Sequence, residues 1–207
     1  KISKNISKKN LFETRILKSI EKSFKNLNIQ SLECLYAAEN ISIKNLDYNF
    51  LKKVEKNFSI KNIGASIYDK SEINYSSSRR FSIFQVPLNI ANQISYNKIA
   101  TKNKLIARSI FLQGLLLSQK TNKILDPDLK KSLKRYFKYL KKNNLDRISI
   151  AISYIEQITD ISKYIIGVTD ERQLKMIMNI DLIKLKKNIY NHIYKYFSKK
   201  KLDPRKW

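Results

Sequence analysis

The sequence predicts a mainly α-helical protein, a helical bundle with one protruding β-hairpin and a basic C-terminal tail. Three observations lead there. Apolar residues recur at helical spacing through most of the chain, the period shortens to two only around residues 71–90, and lysines crowd the end. Residues 1–10 read as a basic extension, 11–198 as a single helical domain and 199–207 as the tail.

The first helix is expected from Leu11 to about Lys25, on a stripe of Phe12, Ile16, Ile20 and Phe24. A short helix follows over Gln30–Glu39, and a stronger one over Leu46–Phe58, where Leu46, Phe50, Leu51, Val54 and Phe58 share a face. Gly64 breaks the pattern. Ile73 and Tyr75 then alternate with polar neighbours, a Ser76-Ser77-Ser78-Arg79-Arg80 turn follows, and Phe81 to Leu88 reads as the return strand of a hairpin. Asn97–Lys120 is expected to be helical, with Ile99, Leu105, Ile106, Ile110 and Leu117 as its core face. Asp126-Pro127 is a cap followed by proline at the first helical position, and opens a helix running to about Lys142. Another is expected from Leu145 to Ile166, closed by Gly167. Thr169-Asp170-Glu171 starts a last, long amphipathic helix through Leu174, Ile177, Met178, Leu182, Leu185, Ile189 and Ile193.

The chemistry of most enzyme classes looks absent. The single histidine, His192, argues against a histidine-based metal cluster or an activated nucleophile, and reads as a packing or RNA-contact residue. Three scattered glycines, Gly64, Gly114 and Gly167, do not build a phosphate-cradling loop. The paired acids Asp126 with Asp128 and Asp170 with Glu171 each stand at a helix start, where capping accounts for them. The lone Cys34 excludes an intramolecular disulfide and reads as core packing. The longest charge-free apolar stretch, Ser109–Gln119, is far short of the roughly 20 residues needed to cross a bilayer. These observations predict a protein that is not an enzyme and carries no cofactor or metal.

The charge balance points to a polyanionic partner. Forty-two Lys and Arg stand against 17 Asp and Glu, a formal charge of +25. Coding bias toward AT-rich codons explains Lys in place of Arg but not the shortage of acids. The cations form several groups. Arg79 and Arg80 crown the expected hairpin, with Tyr75 beside them as a stacking candidate. Lys98, Lys102, Lys104 and Arg108 gather near a helix start, where they oppose the macrodipole and are better explained by a ligand. Lys199, Lys200, Lys201, Arg205 and Trp207 fill the tail. Charge on many faces suits folded RNA.

Ser78-Arg79-Arg80 followed by Phe84-Gln85-Val86-Pro87-Leu88-Asn89-Ile90 resembles the hairpin of the small-subunit ribosomal protein seven family. Asn97-Lys98-Ile99-Ala100-Thr101-Lys102 with Ala107 is similar to a helix of that family, and Arg205-Lys206-Trp207 to its ending. The resemblance implies a structural protein of the small ribosomal subunit that binds its ribosomal RNA and helps assemble the subunit head. Neighbouring ribosomal proteins would be partners, tRNA or mRNA would lie near the hairpin, no membrane would be involved, and a mitochondrial ribosome would be the setting. A DNA-binding replication or partition factor from an AT-rich replicon is the alternative.

Overall fold

Helices and strands alternate along the chain, and the strands lie side by side in one sheet. The computed structural model describes residues 2–38, 47–68, 81–93, 104–118 and 126–203, with backbone alone for 2–9 and 200. The chain divides into two compact units, Lys1–Phe84 and Gln85–Trp207.

In the first unit, α1 (Ile2–Leu27) precedes β1 (Leu35–Ala38), and α2 (Tyr48–Asn57) precedes β2 (Ile63–Ser66). The expected first helix is present and continues back through the segment assigned to an extension. Helix α2, expected from Leu46, starts at Tyr48 behind Asp47, which accepts a hydrogen bond from the Asn49 N–H at 2.7 Å, and it buries Phe50, Leu51 and Val54. Strands β1 and β2 pair in parallel, Leu35 with Ile63 through Ala38 with Ser66, so the helix expected over 30–39 is corrected to a strand. Gly64 is a strand residue rather than a break. A Cβ there would meet the Ile83 carbonyl oxygen at 2.6 Å and the Tyr36 ring at 2.8 Å, so only glycine fits.

The division between the units falls inside β3 (Ile83–Pro87). The second unit continues with β4 (Lys104–Arg108), α3 (Pro127–Lys142), α4 (Arg147–Glu156), β5 (Ile161–Tyr164), α5 (Glu171–Met178), α6 (Lys187–Tyr194) and a short 3-10 turn, Lys199–Lys201. The sheet order is β1-β2-β3-β4-β5, and β4 and β5 pair in parallel. Their register shifts between Leu105 and Ile106, which leaves Ser162 as the extra residue of a bulge. Its hydroxyl donates to the Leu105 carbonyl at 2.9 Å.

This architecture corrects the helical bundle with a protruding hairpin to an α/β fold. The apparent return strand is β3, which lies between β2 and β4, with Phe84 and Val86 fully buried. The other arm of the expected hairpin, with Tyr75, Arg79 and Arg80, lies outside the described residues. Where the helix expected over 97–120 is described, at 104–118, it is instead β4 and a run of turns in which Ser109, Leu112, Gln113 and Gly114 all have positive φ. The helix expected over 145–166 ends at Glu156, and β5 follows.

The long last helix is broken into α5 and α6 because α4 captures the segment between them. Ser149 Oγ donates to the Asp181 carbonyl at 2.6 Å, and the Ile183 N–H donates to Ser153 Oγ at 2.9 Å. Gln157 Nε2 donates to the Ile183 carbonyl at 3.1 Å. Leu185 is buried beside them. Only α3 begins and ends where the sequence predicts, with Asp126 accepting from the Leu129 N–H at 2.9 Å and Leu129, Leu133, Tyr136, Phe137 and Leu140 facing inward. Among the described residues no helix is long and apolar enough to cross a membrane.

Candidate functional site

In parallel α/β sheets the loops at the carboxyl ends of the strands are free to carry chemistry while the strands hold them still. In the second unit these are the segments after β3, β4 and β5.

After β3 the chain turns at a buried asparagine. Asn89 Oδ1 accepts from the N–H groups of Ala91 and Asn92 at 3.0 and 2.9 Å, and its Nδ2 donates to the Ser109 carbonyl at 3.0 Å. Asn92 Nδ2 donates to the Pro87 carbonyl at 3.2 Å, and the Leu88 N–H to the Arg108 carbonyl at 3.1 Å. One side chain thus closes its own turn and fastens the end of β3 to the end of β4. Gln93 Nε2 extends the network to the Tyr190 carbonyl at 2.7 Å.

The loop after β4 is the most unusual backbone in the described chain. Leu112, Gln113 and Gly114 are left-handed in succession, with φ of 48°, 56° and 83°. The loop keeps this shape because Ile110, Phe111, Leu112 and Leu116 are buried beneath it, and because the Leu112 N–H donates to the Ser109 carbonyl at 2.9 Å. Arg147 Nη1 holds the far end through the Leu117 carbonyl at 2.6 Å. Among the described residues the N–H groups of Gln113 and Gly114 donate to no backbone carbonyl. Successive amides in such a conformation form a concavity suited to an anion.

After β5 the chain enters α5, whose amino terminus is already filled. Asp170 accepts from the Gln173 N–H at 2.8 Å, while Gln173 Oε1 accepts from the Thr169 N–H at 3.1 Å. Tyr164 ends β5 with its hydroxyl pushed up to about 12, first by a hydrogen bond to Glu156 and then by burial, so it stays protonated.

The cations singled out from sequence do not converge on this site. A strand puts Lys104 and Arg108 at opposite ends of β4, about 13 Å apart, where a helix would have stacked them on one face. Arg108 alone stands at the loop, with Nη1 3.4 Å from Ser109 Oγ. Lys201 is spoken for by Asp126, whose Oδ2 lies 2.5 Å from its Nζ, and Lys199 is exposed on the same turn. Lys98, Lys102, Arg205 and Trp207, with the side chain of Lys200, lie outside the described residues. His192 packs against Tyr139 at 4.7 Å and shares a 2.6 Å hydrogen bond with the Tyr196 hydroxyl. Asp126 and Asp170 are caps, as expected. Cys34 is half-buried and burial raises its thiol pKa. No group of three or more His, Cys, Asp or Glu among the described residues is placed to hold a metal ion. The loop around Gly114 was missed, although Ser109-Ile110-Phe111-Leu112-Gln113-Gly114 is a short apolar run stopped by glycine, which is also how a buried strand ends.

Comparison with known proteins bears on this geometry. The model of the aldo/keto reductase family matches residues 2–196. Among solved structures, the glycerol dehydrogenase of Gluconobacter oxydans is similar, with a TM-score of 0.65 and 14% identity. The match covers 93% of this chain and 66% of the dehydrogenase, so the chain spans about two thirds of that protein's length. No curated protein sequence matches the chain. These findings overturn the resemblance to the ribosomal family. With it go the structural role in a ribosome, the ribosomal RNA and protein partners, the DNA-binding alternative and the expectation that the protein is not an enzyme. The charge that prompted those readings belongs to an α/β fold of an oxidoreductase family.

Proposed function

Because the chain belongs to the aldo/keto reductase family, we propose that it forms part of the catalytic fold of an oxidoreductase acting on an alcohol or carbonyl compound, and that the loop after β4 receives phosphate groups of a nicotinamide dinucleotide. The family match over residues 2–196 is the observation that carries this reading.

The local structure fits such a ligand. The amides of Gln113 and Gly114 offer paired donors, and the Arg108 guanidinium adds positive potential at the base of the loop. The amino terminus of α5 is a poorer seat, because the Asp170 carboxylate occupies it and repels an anion. Asn89 ties β3 to β4, so the loop rests on rigid strands. When bound, the dinucleotide supplies or accepts the hydride exchanged with the substrate carbon.

Titration with NADPH followed by nucleotide fluorescence tests the assignment. Saturable binding is expected, weakened by roughly tenfold or more in Gly114→Val, because a β-branched residue is strained at positive φ. No saturable binding by the wild-type chain would sink the reading, and an unchanged affinity in the variant would move the phosphates off this loop. Glycerol and small aldehydes are the first substrates to assay.

A further inference from the structure

Helix α3 carries an unusual surface. Its inner face is apolar and buried, while Lys131, Lys134, Arg135, Lys138, Lys141 and Lys142 are exposed at spacings that place them on one outward stripe. None of the six forms an ion pair among the described residues. The acids nearby, Asp126 and Asp128, sit at the amino end and face Lys201. By contrast α1 interleaves its exposed cations Arg15, Lys18, Lys22 and Lys25 with Glu13 and Glu21. The stripe is therefore a local concentration of uncompensated charge and not merely a share of the overall excess.

We infer that this stripe adsorbs the protein to an anionic lipid surface. From Lys131 to Lys142 the helix presents these cations along about 16 Å, a linear array that matches a plane of headgroups. Tyrosines border the stripe. Tyr139 on α3 packs with His192 at 4.7 Å and with Tyr196 at 6.2 Å. Amphipathic rings of this kind favour a lipid interface. Because His192 also packs edge-on against Tyr196 at 5.2 Å, these rings are occupied by one another and offer poor platforms for stacked bases. No large apolar side chain stands within the stripe, so attachment is electrostatic and reversible by salt.

Co-sedimentation of the full chain with vesicles tests this, using phosphatidylcholine alone or mixed with phosphatidylglycerol, at low and high salt. Binding only to the mixed vesicles, lost at high salt, is expected. At about fivefold in partitioning per cation, replacing Lys131, Lys134, Lys138 and Lys141 by Glu lowers binding by roughly a hundredfold or more. The same four changed to Gln lower it less, and circular dichroism checks that both variants fold. A control with an equal charge change, Lys18, Lys22, Lys25 and Lys53 to Glu, retains most of the binding. Equal loss in the control, equal binding to neutral vesicles, or no binding at all would overturn the inference. So would tighter binding of an RNA duplex than of vesicles at matched phosphate concentration, lost in the stripe variant.

Discussion

Helices α4 and α5 lie on either side of β5 in sequence and are held in opposite ways. In α4 seven consecutive residues, Ser149–Ile155, are buried; in α5 none is. Local interactions hold α5 instead: the Asp170 cap, the reciprocal Thr169–Gln173 bonds and a 2.7 Å ion pair between Lys175 and Glu171, both largely exposed. Leu174, Met176 and Met178 face solvent, and an open cleft of about 590 Å³ separates α5 from the start of α4. Interactions of that local kind contribute tenths of a kcal/mol to about 1 kcal/mol each, whereas a fully buried aliphatic side chain contributes about 1.5–3 kcal/mol. Good capping can therefore specify a helix without anchoring it.

The contrast breaks most visibly in the core. Ile150→Ala in α4, at a fully buried position, is expected to cost about 3 kcal/mol and lower the melting temperature by roughly 6–12 °C, whereas Met178→Ala in α5, at 75% exposure, stays within about 0.5 kcal/mol. Thermal denaturation of the two variants settles it, and similar shifts would mean that α5 is packed after all. Caps sharpen the comparison further. Asp146→Ala removes the acceptor of two N–H bonds at the start of α4 and costs about 1 kcal/mol of global stability. Asp170→Ala should leave the melting temperature nearly unchanged while amide exchange in α5 accelerates, since that helix opens without the rest.

The smallest effect concerns the Lys201 contact with α3. Lys201 holds the Asp126 carboxyl below its ordinary range, helped by the Leu129 N–H, and Asp126 in turn raises the lysine. A lowered carboxyl contributes stability that is present above its unfolded pKa and lost as pH falls through the folded one; a raised lysine contributes stability lost as pH rises through its folded value. The turn at 199–201 should loosen below about pH 4 and again in strong alkali, with the buried Leu202 as the NMR reporter. Unchanged Leu202 signals across both ranges would show that apolar packing alone holds it.

What the sequence disclosed follows the same division. Helix α2 was legible from its apolar face and α3 from its cap and its apolar face, because such signals are local. Of the strands only β3 was legible, and it was read as the return arm of a hairpin; the four residues of β1 and the five of β4 fell inside segments read as helices, and the four of β2 around Gly64 were read as a break. The site was hidden for a related reason. Its geometry rests on left-handed backbone at Leu112 and Gln113, which no side chain announces, and on Asn89 reaching from one strand end to another. Charge misled because lysine is plentiful wherever the surface tolerates it, so net charge described the exterior and not the fold.

Gly64 bears on how far such a composition can drift. A chain of 207 residues crowded with lysine, asparagine and isoleucine has only three glycines. Between the ring of Tyr36 and the carbonyl of Ile83 glycine is required, because there is room for a hydrogen atom and nothing larger. Lysine can accumulate on the outside of the molecule without disturbing the sheet, but the spacing of its strands sets a hard boundary, and a single methyl group is enough to cross it.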